Sequence, residues 1–106
     1  MPLEIWKHYY QRWVTYRDAL SDLILDEKIL LTSWGAGPFV WLRWKSEVDE
    51  FVVFSELLRR GLAVAPSAVL HVASKASNAI RIGLGTDIET AQYAGKLIAN
   101  GLANLL

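Results

Sequence analysis

A chain of 106 residues, 53% of them hydrophobic, is long enough for one domain with a real core and too short for two. Eleven basic residues balance eleven acidic ones, which argues against the broad positive field of a nucleic-acid-binding domain. The chain has no cysteine, so a disulfide framework, a thiolate metal site and a cysteine nucleophile are excluded, and a cytoplasmic setting fits.

The opening "MPLEIWKHYY" has no unbroken apolar run behind a basic start, so it does not read as a signal peptide. No apolar stretch approaches the ~20 residues of a membrane span. Residues 3 to about 28 carry a helical stripe, with Trp6, Tyr9, Trp13, Tyr16, Leu20 and Leu23 at three- and four-residue spacing. Pro2 suits the first helical turn. Five tryptophans are more large rings than a small domain readily hides. Some are expected to face a partner, and the first helix is expected to self-associate.

"LLTSWGAGPF" breaks the stripe with glycine and proline and predicts a loop. "FVWLRW", residues 39–44, alternates as a strand, placing Val40, Leu42 and Trp44 on one face and Phe39, Trp41 and Arg43 on the other. Both faces are largely apolar, which predicts at least partial cover on each. Ser46 with Asp49 resembles a capping box that opens a second helix with Val48, Phe51, Val52, Leu57 and Leu58 inward. Arg59 and Arg60 favour the negative end of that helix rather than a basic patch, and Gly61 is the stop. "LAVAPS" predicts a short strand ended by Pro66, and "AVLHV" is a possible further strand in an ambiguous 67–77 segment.

"NAIRIGLG", residues 78–85, is a strand with Ile80, Ile82 and Leu84 on one face and Arg81 on the other. Thr86 with Glu89 is a second capping box, opening a last helix striped by Ile88, Ala91, Ala94, Ile98, Leu102 and Leu105. The order is helix, strand, helix, strand, strand, helix. It predicts a single α+β domain over 1–106: an open, partly antiparallel sheet of three or four strands with three helices packed on it in two layers.

Catalytic material is thin. His8 and His71 are the only histidines, and neither has metal-ligand spacing with a carboxylate. "GLGTDI" imitates a dinucleotide fingerprint, but Ile88 replaces the third glycine and no second strand follows the helix. "GAG" at 35–37 has no helix behind it, and no P-loop motif exists. Lys75 in "SKASN" is in a setting that leaves its amine solvated and poorly nucleophilic. No catalytic residue and no metal ligand is expected in this chain. Arg81 is the residue that stands out, as an ionic group in a strand that otherwise reads as core. It is either a solvated outer-face residue or a carboxylate receptor, since its planar fork of donors matches carboxylate oxygens.

From Phe39 onward the chain resembles the small C-terminal domain of fold-type I pyridoxal-phosphate aminotransferases. "GAGPFVWLRW" is similar to the family's glycine-glycine, aromatic, Trp-Leu strand. "LLRRGLAVAPS" is similar to its L-x-x-x-G-x-x-V-x-P-G-S segment, and "SNAIRIGLG" to the strand bearing its carboxylate-binding arginine. With the leading helix, the resemblance covers nearly the whole chain. "NAIRIGLG" is closest to the MocR branch of GntR-type regulators, in which an aminotransferase-like module follows a winged helix-turn-helix domain. Two departures stand out: Pro66-Ser67 lacks the family's intervening glycine, and Pro38 replaces a small or apolar residue.

The resemblance implies that Arg81 holds the α-carboxylate of a substrate or effector amino acid, or of its adduct with pyridoxal 5'-phosphate. It further implies that the cofactor-binding large domain, with its lysine, lies outside this chain. The chain alone is then expected to bind no cofactor and to be inactive. The parent would be a cytoplasmic dimer whose partner subunit helps complete the site, with no nucleic-acid contact from this domain and none with a membrane. A transcriptional regulator, a genuine aminotransferase and a stand-alone interaction domain without ligand all remain open.

Overall fold

The computed structural model describes residues 3–32, 34–35, 37–66 and 78–106. It bears out the α+β architecture. Helices α1 (Leu3–Ala19) and α2 (Ser21–Leu25) lead into strands β1 (Ile29–Leu31) and β2 (Phe39–Trp44). Helix α3 (Glu50–Arg59), strands β3 (Ala65–Pro66) and β4 (Ala79–Gly83), and helix α4 (Ile88–Leu105) follow. The four strands form one sheet in the order β1-β2-β4-β3, and every neighbouring pair is antiparallel rather than only some. The possible "AVLHV" strand, with His71 and Lys75, lies outside the described residues.

The leading helix is shorter than its stripe predicts. It breaks at Leu20, and α2 is closed two residues beyond Leu25 by Glu27, whose φ of 59° is left-handed. There the amides of Glu27 and Lys28 donate to the carbonyls of Ile24 and Leu23, which is a Schellman closure without its usual glycine. That turn redirects residues 29–31 into β1, where a loop had been expected. α3 ends in the same closure, with Gly61 at φ 95° and the amides of Gly61 and Leu62 donating to Leu58 and Leu57, as its glycine predicts.

Both capping boxes are displaced. Asp49, not Ser46, caps α3 through its carboxylate and the amide of Phe51 at 2.7 Å. Asp87, not Thr86, caps α4 by accepting from the amide of Thr90 at 2.7 Å. In each case an aspartate with extended backbone reaches an unpaired first-turn amide. The inward face of α3 differs from the expected one. Glu50, Val53 and Leu57 are buried, while Phe51, Val52 and Leu58, expected inside, are exposed. The stripe of α4 holds, with Ala91, Ala94, Ile98 and Leu102 buried.

The described helices and the sheet enclose one core. Ile29, Val40, Leu42, Trp44, Ile80 and Ile82 face it from the strands, and Tyr16, Leu20, Leu23, Val53 and Leu57 from the helices. α1 and α4 cross closely, because Gly95 leaves no side chain opposite Ala19. Trp34 covers the exposed end of α1, with its ring 5.8 Å from Trp6 and 5.5 Å from Tyr10. Trp13 Nε1 donates to the Thr32 carbonyl at 3.0 Å, so part of the aromatic stripe is used within the chain. No helix among the described residues is long and apolar enough to cross a membrane.

Candidate functional site

Strand alternation and register define the other face of the sheet. Arg81 on β4 stands opposite Trp41 on β2 and Ala65 on β3, Gly83 opposite Phe39, and Ala79 opposite Arg43. Leu30 of β1 stands opposite Arg43. Leu30, Phe39, Trp41, Arg43, Arg81 and Gly83 therefore share the face turned away from the core. This face is partly covered, as expected for β2: Trp41 and Arg43 are half-buried, while Leu30 is 60% and Phe39 47% exposed.

Arg81 is half-buried, and its guanidinium lies 4.0 Å from the centroid of the Phe39 ring. Phe39 in turn covers Gly83, where a Cβ would sit 3.7 Å from the ring. No carboxylate among the described residues pairs with Arg81, and the strand residues of this face include no Asp or Glu. The ring contacts the guanidinium carbon, and among the described residues no hydrogen bond or ion pair to the Arg81 side chain competes with a planar anion for its N–H donors. Arg43 is a second half-buried cation on the same face, one register step diagonal to Arg81. Sequence reasoning placed Arg43 and Phe39 on one face of β2 but could not join them to Arg81 without the β2–β4 register.

Tyr16, Arg12 and Asp87 organise the junction between β4 and α4. Arg12 Nε donates to the Thr86 carbonyl at 2.9 Å, and Tyr16 hydrogen-bonds the Thr86 side chain. Burial raises the Tyr16 phenol above its ordinary range, and the Thr86 bond offsets part of that rise. Hydrogen bonds from Thr90 lower the Asp87 carboxyl. Asp87 thus places a carboxylate on the helix N-terminus that a phosphate would need, which disfavours the dinucleotide reading of "GLGTDI".

The remaining candidates stay apart from this face. Glu56 Oε2 accepts from Arg59 and from Arg60, each at 2.6 Å, in the helix-end role expected of those arginines. Those hydrogen bonds, Arg59 first and Arg60 second, lower the Glu56 carboxyl. His8 lies on α1 with its ring edge-on to Tyr9 at 5.8 Å. Among the described residues no group of three His, Cys, Asp or Glu could hold a metal ion.

No protein-family model and no curated protein matches this chain. Its fold matches solved aminotransferases. LysN, the alpha-aminoadipate aminotransferase of Thermus thermophilus, crystallised with N-(5'-phosphopyridoxyl)-L-leucine, superposes with a TM-score of 0.79 at 19% identity, over 93% of this chain and 25% of its own. Pyrococcus horikoshii kynurenine aminotransferase gives 0.79 at 20% identity over 94% and 25%. A probable N-succinyldiaminopimelate aminotransferase, also from Thermus thermophilus, gives 0.73 at 25% identity over 88% and 23%. The chain has the fold of about one quarter of an aminotransferase.

Proposed function

We propose that this chain is the small, cleft-closing domain of a pyridoxal-phosphate-dependent, aminotransferase-like protein, and that Arg81 holds an amino-acid α-carboxylate there. One observation carries the reading: a guanidinium stacked on Phe39, with no carboxylate partner among the described residues, on a face whose strands bring no acid. A planar cation so placed is ready for a bidentate anion, whose binding adds charge-assisted hydrogen bonds without first breaking an ion pair. The fold match to a quarter of each aminotransferase supports assigning the rest of the site to another domain.

Lys7, Lys28, Lys45 and Lys96 are all exposed, and none has the enclosing apolar surface that activates a Schiff-base lysine. They do not fit the cofactor's covalent anchor. This chain's part is to bind and orient the carboxylate and to keep water from one side of the cleft. The parent is read as a cytoplasmic dimer, with Trp6 and Tyr10 offering apolar surface for association.

Within this reading the parent is a regulator of the MocR type, supported by the resemblance of "NAIRIGLG" to that branch. A catalytic parent is supported by the three solved structures named above, each an aminotransferase. Reading the coding sequence upstream of Met1 tests both. A cofactor domain preceded by a winged helix-turn-helix gives the regulator, and a cofactor domain alone gives the enzyme. A stop codon and ribosome-binding site directly ahead of Met1 would overturn both in favour of a stand-alone interaction domain.

A further inference from the structure

Arg81, Trp41 and Arg43 form a zigzag of donors on the outer face of the sheet. Leu84 N–H donates to the Pro38 carbonyl and Trp44 N–H to that of Asn78, so even-numbered residues make the hydrogen-bonded pairs of β2 and β4. Arg81 with Trp41, and Ala79 with Arg43, are therefore non-hydrogen-bonded pairs, with Cα atoms about 4.5 Å apart and side chains close together. Arg43 stands two residues beyond Trp41 on β2, diagonal to Arg81 at about 7–8 Å.

Each of these side chains offers donors and none offers an acceptor. Trp13, Trp34 and Trp44 give their indole N–H to backbone carbonyls, but no hydrogen bond among the described residues takes that of half-buried Trp41. Thr32 binds only the backbone of Trp41, accepting from its amide through Oγ1 and donating to its carbonyl. No ion pair among the described residues uses Arg43 or Arg81. A half-buried guanidinium without a carboxylate is desolvated at a cost that a bound anion offsets. The Arg81 head lies over Phe39, four residues and about 13 Å of strand from Arg43. An elongated ligand, rather than one small anion, fits that spacing.

We propose that Arg43 is a second anion anchor, so that this face takes an elongated dicarboxylate, which in the parent is an acidic amino acid. One carboxylate lies on Arg81 and the other on Arg43, with the Trp41 indole N–H between them. The inference rests on the reading of Arg81 as carboxylate receptor and adds which end group the ligand's side chain carries. A ligand with an uncharged end leaves Arg43 unpaired and gains nothing from it.

The test is an NMR titration of the isotope-labelled 106-residue chain with malonate and pimelate, dicarboxylates of equal charge but different span. The reporters are the Arg43 and Arg81 Nε–H and the Trp41 indole N–H. One further charge-assisted contact at a half-buried site predicts that pimelate binds about 5- to 30-fold tighter than malonate. Pimelate should shift all the reporters with a common midpoint, and malonate, too short to bridge, should not. Arg43→Gln should bring the ratio of pimelate to malonate affinity near one. Because both ligands carry the same charge, the variant's change in net charge cancels in that ratio. If the variant fails to fold, the coupled shifts in the wild-type chain decide. A ratio that Arg43→Gln leaves unchanged, or a pimelate shift at Arg81 without one at Arg43, overturns the second anchor and leaves the first standing. The absence of any saturable malonate shift at the Arg81 Nε–H refutes the receptor reading beneath it.

Discussion

Gly95→Ala probes the crossing of α1 and α4 that carries Tyr16 and Thr86 to the edge of the candidate site. A Cβ built at Gly95 would lie 2.8 Å from Ala19 Cβ, short of the 3.4 Å at which ordinary contact begins. Ala19 Cβ is fixed to its backbone, so the helices must part by about 0.6 Å rather than rotate a side chain away. Overpacking of this kind costs about 1–3 kcal/mol, while alanine gains about 1 kcal/mol over glycine in helix propensity. The substitution should therefore destabilise by about 0–2 kcal/mol, where propensity alone predicts a gain. Ala19→Gly removes the opposing methyl, and in that background Gly95→Ala should stabilise by about 1 kcal/mol. Urea unfolding of the four members of this cycle measures the coupling, expected at about 1–3 kcal/mol. The same stabilisation in both backgrounds would refute the close crossing.

Glu27→Gly should stabilise by up to about 1 kcal/mol, because a side chain leaves a left-handed position at the Schellman turn; urea midpoints read it. Tyr16→Phe should cost about 0.5–1.5 kcal/mol through the lost bond to Thr86. Since burial raises the Tyr16 phenol, its contribution is complete below about pH 10 and declines as pH rises further, so Tyr16→Phe should flatten the alkaline limb of a stability–pH curve. Glu56 and Asp87 are lowered, so their contribution is complete above about pH 5 and is lost as pH falls through and below the ordinary carboxylate range. Glu56→Gln and Asp87→Asn should each flatten the acid limb, and a curve unchanged by both would count against these pairings.

The sheet and its long helices are legible in the sequence because their signals are local. Ile80, Ile82 and Leu84 alternate, and Ala91, Ala94, Ile98 and Leu102 recur at helical spacing. Gly61 announces the end of α3, whereas Glu27 adopts the same left-handed turn after α2 with no glycine to mark it, and β1 was hidden behind it. Serine and threonine three residues before an acid read as caps, yet Asp49 and Asp87 sit nearer the first-turn amides and take the role. Phe51, Val52 and Leu58 were assigned inward because they are apolar, whereas the face that packs on the core is Glu50, Val53 and Leu57, a choice made by tertiary packing. Arg81 was visible as an anomaly within its strand. Its partnership with Phe39 depends on which strands pair and in what register, and no local pattern encodes that.

The central claim is that Arg81 is poised for a carboxylate rather than holding the fold together. The most direct measurement is an acetate titration of the wild-type chain and Arg81→Gln, followed by NMR, with urea unfolding of both. The stack on Phe39 is worth about 0.5–1 kcal/mol at a partly exposed site, so Arg81→Gln should lower stability by no more than about 1 kcal/mol. Acetate should shift the Arg81 Nε–H saturably and more than any other arginine, and the shifts at Trp41 and Gly83 should vanish in the variant. Unfolding of the variant would make Arg81 structural. Shifts spread evenly over the arginines, or no saturable shift at Arg81, would contradict the receptor.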